Sequence, residues 1–348
     1  MNSRQIDFIQ KNIHESFVDN LSHIENLKNE IIFITGASGF MGSWLLETVN
    51  YLNTNHSYNT KIIASAPNMN SIKIKYPHLF NSNMISTINI DVRNPFQIPN
   101  EVTYVIHAAG SPDNRIHSSD PLRVIDTIVK GTKNTLEAAS LLPNIKKFLN
   151  VSSGLIYGSN NKEVPASEND YGSINPASIM SSYTEAKRMA ETLCFVYKSQ
   201  FRLPIINIRP FAFIGPYQSL DRPWAINNFI NDSINNNPIK ILGNEETVRS
   251  YMYPSDMTLW ILSFLTSSET NEIYNLGSDE AKTLKEIAQE IQYNVSKNST
   301  LIIPPARIST KSYFVPNITM AISDLKLTQP MNFKDVIKNT INWYKFQN

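Results

Sequence analysis

The 348 residues suit one large α/β domain or two closely packed lobes, and a hydrophobic content of 41% is enough to bury a large core. Lys plus Arg number 31 against 30 Asp plus Glu, a formal charge of +1 with no block of like charge, so no nucleic acid or other polyanion is expected as a partner. One cysteine, Cys194, excludes an internal disulfide and a cysteine-based metal cluster; no metal site is expected, and Cys194 reads as a small buried residue of a helix.

The first residues, Met1 to Asp7, have no apolar signal core, and no stretch approaches 18 uncharged apolar residues, which points to a cytoplasmic protein without membrane contact. Over residues 1–29, Ile6, Phe8, Ile9, Ile13, Phe17, Leu21, Ile24 and Leu27 recur at helical spacing. This predicts an N-terminal helical extension that packs on the following domain or on a partner subunit. No catalytic residue types cluster in it.

Ile31-Ile32-Phe33-Ile34 reads as a buried parallel strand, and Gly36, Gly39 and Gly42 follow it before an amphipathic helix. With only 11 glycines in the chain, three placed between a strand and a helix form a dinucleotide cradle. Gly36 allows the tight turn, Gly39 lets backbone approach a pyrophosphate, Gly42 lets helix and strand pack closely, and the helix N-terminus offers free N–H groups to negative charge.

Further strands are predicted at 61–65, 86–90, 102–106, 147–151 and 204–208, with helical stretches at 70–80, 121–141 and 183–201 between them. That alternation predicts a Rossmann-type doubly wound parallel sheet with right-handed crossovers, whose ligands sit beyond the carboxyl ends of the strands. Asp91, Ala108-Ala109-Gly110 and Ser152-Ser153 fall at such ends. Residues 158–181 form a polar loop rich in Pro, Asn and Ser, suited to face a substrate. Beyond 217 the alternation is less regular, which predicts a smaller C-terminal α/β substrate lobe. The boundaries are 1–29 for the extension, 30–216 mainly for the dinucleotide domain and 217–348 mainly for the lobe, with some exchange of elements.

Tyr183 and Lys187 stand four residues apart and share one face of a helix. A free phenol titrates near pH 10, and a nearby cation favours the phenolate, which brings the group toward a working range as a base. The order of glycine cradle, Asp at one strand end, Ala-Ala-Gly at another, Ser at a third and then Tyr-x-x-x-Lys resembles the extended short-chain dehydrogenases/reductases, and among them the NAD-dependent nucleotide-sugar epimerases and dehydratases. The resemblance spans about residues 30–345.

That resemblance implies roles at the matching positions. Gly36, Ser38, Gly39, Phe40, Met41 and Gly42 would hold the pyrophosphate of NAD, with Asp91 and Val92 beside the adenine. Ala108 and Ala109 would line the cofactor's nicotinamide side, Gly110, Val151 and Pro210 would also contact the cofactor, and Lys187 would bond its ribose as well as tune Tyr183. Ser153, Tyr183 and Lys187 would be the catalytic set, with Ser153 donating to the substrate oxygen. A nucleotide-diphosphate sugar would be the substrate, met by Ser153, Tyr157, Asn227, Arg249 and Arg307; Arg307 reads equally as a solvated surface residue. Relatives commonly pair through two helices per subunit, which implies a homodimer.

Departures from the family pattern narrow the reaction. The dehydratases carry an Asp-Glu pair after the catalytic Ser or Thr, because elimination of water needs a further acid and base. This chain has Gly154 and Leu155 there, which move no protons. Epimerisation through a transient keto sugar is therefore favoured, with an NAD(P)H-dependent keto-sugar reductase, a dehydratase and a non-catalytic dinucleotide-binding protein as alternatives. Two asparagines frequent in relatives are Ile128 and Ala212 here. The second strand ends in Ser65-Ala66-Pro67-Asn68, neither the acid that favours NAD nor an Arg that favours NADP. NAD is preferred for want of a cation at that tip, and NADP is kept open by Lys73 and Lys75.

Overall fold

The computed structural model describes residues 1–158, 163–268, 271–295, 300–303 and 311–346. In chain order the strands are β1 (Ile31–Thr35), β2 (Lys61–Ala66), β3 (Ile85–Asn89), β4 (Tyr104–His107), β5 (Lys147–Val151), β6 (Ile205–Pro210), β7 (Ile239–Lys240), β8 (Val248–Arg249), β9 (Ile273–Leu276), β10 (Lys282–Thr283), β11 (Leu301–Ile302) and β12 (Tyr313–Phe314). Seven of them form one parallel sheet in the order β3-β2-β1-β4-β5-β6-β9. The order reverses between β1 and β4, the place where such sheets bind ligands. The architecture is the α/β, doubly wound sheet expected from the alternation.

Strand periodicity explains the core. Side chains alternate faces along a strand, so Ile32, Ile34, Ile62, Ala64, Ile106, Leu149, Ile206 and Ile208 enter one buried cluster. Phe33, Ile63, Val105, Phe148 and Ile205 enter a second one on the other face. Helices Phe40–His56 and Pro254–Thr266 cover the first face; Gly131–Ser140 and Ser182–Phe201 cover the second, where Leu136, Cys194 and Tyr197 complete the cluster. Both faces are dry over the central strands, which is why β1 and β2 read as mainly apolar runs, while the edge strand β3 is largely exposed.

The chain beyond 217 is divided between two tasks. Strand β9 and helix Pro254–Thr266 return to the large sheet, while β10-β8-β12 and β11-β7 build two small sheets beside helices Ala225–Ile234 and Leu284–Val295. The N-terminal extension is a helix, Ser3–Phe17, opened by a capping box of Asn2 and Gln5, and a 3₁₀ turn, Leu21–Leu27. Its Ile9, Ile13, Phe17, Ile24 and Leu27 are all within the first core cluster.

The predicted single helix over 121–141 is three pieces. An α-turn Pro121–Ile125 passes through a π-helical stretch, Asp126–Lys130, into the α-helix Gly131–Ser140. Periodicity gives no warning of one inserted residue, and π-turns concentrate at functional sites. Here the wide turn places Ile128 in a small apolar cluster with Val124, Tyr183, Ala186 and Ala190. Among the described residues no helix is long and apolar enough to cross a membrane.

Candidate active site

Register brings the strand ends together. Thr35 lies opposite Ser65 on one side and His107 on the other, and His107 lies opposite Asn150, so Gly36, Ala108 and Val151 emerge in one row. His107 is fully buried and bonds Thr35 (2.8 Å), Thr132 (3.1 Å) and Thr135 (3.2 Å), which ties β1, β4 and the helix behind them. Burial holds its pKa down at about 3, so the ring is neutral.

Gly36 has φ +69°, and a Cβ there would stand 2.6 Å from the Ala108 carbonyl oxygen. A Cβ on Gly42 would stand 2.5 Å from Ala37. Only glycine serves at either place. Gly39 has the helix Phe40–His56 starting on it with no side-chain cap, and a cavity of about 280 Å³ opens beside Ser38, Gly39, Phe40 and Ser43, with Ser71, Lys75, Tyr76 and Tyr217 on its other walls. An uncapped helix N-terminus at an open cavity fits the pyrophosphate of a dinucleotide. Met41 is half-buried against the first core cluster. Asp91 accepts a bidentate ion pair from Arg93, which lowers its pKa, and Val92 packs where Gly131 leaves room for it. Ala109 is buried, and a Cβ on Gly110 would meet the Lys187 ammonium at 3.4 Å. Pro210 ends β6 opposite Leu276.

Three of the expected residues converge at the end of β5. Tyr183 and Lys187, on helix Ser182–Phe201, are both buried. The Lys187 ammonium donates to the Val151 carbonyl at 2.6 Å and lies 5.9 Å from the centre of the Tyr183 ring. Ser153 accepts from the Leu155 N–H at 3.1 Å, opening the short turn Gly154–Tyr157, and its hydroxyl draws the pKa of the Tyr183 phenol down. The hydroxyl of the neighbouring Ser152 is buried with no partner among the described residues.

The electrostatics depart from the expectation. Burial pushes the phenol of Tyr183 up to about 12, and the Ser153 hydroxyl draws it back only in part. Burial likewise lowers the Lys187 ammonium to about 8, against the pull of Glu191. Desolvation sets the resting value, so the phenol keeps its proton.

The expected substrate residues are more dispersed. The Tyr157 hydroxyl donates to Asn275 Oδ1 at 2.6 Å and accepts from Arg209 at 3.0 Å, inside a buried network in which Glu191 clamps the same guanidinium at 2.8 and 3.0 Å. Asn227 is fully buried, accepting from Gln218 and donating to the Ser219 carbonyl, both at 2.8 Å. Arg249 on β8 donates to the Val248 carbonyl (2.7 Å) and to the Ser312 hydroxyl (2.9 Å). Arg307 lies outside the described residues. Sequence reasoning passed over Glu191, Arg209, His107 and His117, whose ring stacks on Tyr183; Arg209 at a strand end was the one available signal.

The cradle, sheet order and buried Ser-Tyr-Lys set define an α/β dinucleotide-dependent enzyme. Residues 32–277 match the NAD dependent epimerase/dehydratase family, and the chain belongs to it: extended short-chain dehydrogenases/reductases that modify nucleotide sugars. The chain is 28% identical over 325 residues to a UDP-N-acetyl-alpha-D-glucosaminuronate decarboxylase of Bacillus cytotoxicus, covering 90% of this chain and 97% of the relative. It is 26% identical over 315 residues to UDP-glucuronic acid decarboxylase 1 of Arabidopsis thaliana, covering 90% and 69%. In fold it is similar to UDP-glucuronic acid 4-epimerase from Bacillus cereus, solved with UDP-glucuronic acid and NAD, at TM-score 0.75 and 21% identity, over 91% of this chain and all of that one.

Proposed function

We propose that this protein epimerises the sugar of a nucleotide-diphosphate sugar through a transient keto sugar, with NAD as its cofactor. The observation that carries the reading is the Ser153–Tyr183–Lys187 set with no acid at the two positions after Ser153: Gly154 and Leu155 stand there, and the ring of Phe211 occupies the space a side chain at 154 would need. Bound NAD supplies a hydride acceptor that later returns the hydride. Tyr183 takes the proton of the sugar hydroxyl and gives it back, Ser153 donates to the sugar oxygen, and Lys187 steadies the phenolate that forms. Gly36, Gly39 and Gly42, with the helix N-terminus, hold the pyrophosphate, and Asp91 and Val92 border the adenine. Arg249 belongs to the diphosphate side, Asn227 holds the loop of Gln218 and Ser219, and Tyr157 braces the residues after Ser153.

NAD rather than NADP follows from the absence of a cation at Ser65-Ala66-Pro67-Asn68. Lys75 on the cavity wall makes a direct comparison of the two affinities worthwhile. A second copy of the chain would pair through helices Pro121–Ile125 and Ser182–Phe201, which expose Leu122, Met189, Phe195, Val196 and Phe201; sedimentation measures this.

The test is purification followed by assay for bound NAD(H) and for isomer exchange across UDP-, GDP-, dTDP- and CDP-sugars, uronic acids included. Epimerisation leaves no net change in cofactor, and Tyr183→Phe abolishes it. Stoichiometric NAD(P)H oxidation would replace epimerase by reductase, and release of CO₂ from a uronic acid would replace it by decarboxylase. Unchanged turnover in Tyr183→Phe would remove the acid–base role.

A further inference from the structure

His117 is a buried residue that the reaction as described does not use. Its ring lies 4.3 Å from the Tyr183 ring, centroid to centroid, at 15° between planes, and the two are only 3% and 5% exposed. Parallel stacking at that separation removes the phenol's freedom to tilt. The imidazole is itself held, since its Nε2–H donates to the Ser111 carbonyl at 2.8 Å. Burial lowers its pKa, against the Ser111 bond and the Asp113 carboxylate, which raise it.

The element that carries His117 is short and is fixed from outside. Helix Asn114–Ser119 is capped by Asp113, which accepts from the Arg115 backbone N–H at 3.0 Å. The same buried carboxylate receives the guanidinium of Arg115 at 2.7 and 3.1 Å and that of Arg222 from the loop beyond 217. Arg115 also donates to the Asp221 carbonyl at 3.2 Å, and Asn227 anchors that loop through Ser219. An unbroken set of contacts therefore runs from the smaller lobe through Arg222 and Asp113 to His117 and the phenol.

We propose that His117 is a positioning residue for Tyr183, its stacked ring setting the angle at which the phenol meets the sugar hydroxyl, and that Asp113 and Arg222 tie this setting to the smaller lobe. The proposal rests on the acid–base reading of Tyr183 above. It does not make His117 a proton carrier, because its Nε2–H is committed to Ser111 and the ring touches the phenol by its face.

The test compares His117→Phe, His117→Leu and Tyr183→Phe in the full chain, using the nucleotide sugar that the panel identifies. Phe keeps a flat ring, whereas Leu fills the volume without one. His117→Leu is expected to lose about 100-fold in kcat, the scale of a small misplacement of a reacting group, with KM within about twofold. His117→Phe is expected to recover most of that loss. NADH affinity, followed by its fluorescence, should match the unaltered protein in both, which separates the effect from cradle damage. Equal turnover in His117→Leu and His117→Phe, with Tyr183→Phe inactive, overturns the positioning role and leaves the acid–base reading standing. Activity surviving in Tyr183→Phe removes that reading and this proposal with it.

Discussion

The ring of Phe211 lies 2.8 Å from the point where a Cβ on Gly154 would stand. Phe211 is in turn packed on Phe314 of β12, with ring centroids 4.6 Å apart, so it has little room to retreat. An acid placed after Ser153 would collide with an aromatic wall that joins the large sheet to the smaller lobe.

The expected outcome for Gly154→Ala is a loss of about 1–3 kcal/mol, the usual cost of overpacking. Phe211→Leu should relieve part of that loss when combined with it, so the double variant is more stable than the sum of the two singles predicts. Urea unfolding of the four proteins measures the coupling. Strict additivity would mean that the ring does not confine residue 154.

Lys187 sets function against stability. Its ammonium is buried and held near pKa 8 instead of 10.5. Between those values the unfolded chain binds a proton that the folded chain does not, so this group makes stability rise with pH across the window and costs the fold on the order of 3 kcal/mol below it. Lys187→Met is expected to lose at least about 100-fold in turnover while gaining stability at pH 7. Urea midpoints taken from pH 7 to pH 10 should climb for the unaltered protein more steeply than for the variant. A variant less stable at pH 7 than its parent would show that the Val151 bond outweighs the desolvation.

Gly36 offers a test of the cradle. Alanine there meets φ +69° and a carbonyl oxygen 2.6 Å from its Cβ. Left-handed backbone alone costs about 1–2 kcal/mol, and the contact with Ala108 displaces the turn from β4. Gly36→Ala is expected to weaken NADH binding at least about tenfold while the far-ultraviolet circular dichroism stays that of a folded chain. Gly243, where a Cβ meets nothing within 4 Å, serves as the control and should tolerate alanine without change in binding.

Much of this was legible because its causes are local. A strand dry on both faces must be an apolar run, a left-handed turn beside a neighbouring backbone must be glycine, and residues four apart on a helix must share a face. The rest depended on tertiary partners that no spacing encodes. Tyr157 and Asn227 read as groups facing a substrate, and their polar atoms are taken up by Asn275, Arg209, Gln218 and Ser219. The phenol's pKa followed burial rather than the adjacent lysine, because desolvation is a sum over everything around the group. His117 and Tyr183 are 66 residues apart in sequence, and only the fold stacks them.

The N-terminal extension is held by chemistry that gives its removal a pH signature. Ser16 donates to the buried Asp256 carboxylate at 2.7 Å and bonds Ser255 at 2.7 Å, while the Met331 N–H supplies another bond to the same carboxylate at 2.7 Å. Burial raises the pKa of Asp256, and the Ser16 and Met331 bonds oppose the rise. Between the unfolded and folded values the native state holds the extra proton, so this group's contribution to stability falls as pH rises. Ser16→Ala removes one opposing bond, lifts the folded pKa further and deepens that fall. Its expected cost is about 1–3 kcal/mol, larger at pH 7 than at pH 4. Phe17→Ala, which empties a fully buried site, should cost about 3–5 kcal/mol with no such slope. Urea unfolding at the two pH values separates them, and an equal loss for Ser16→Ala at both would mean that Asp256 does not depend on the extension for its charge.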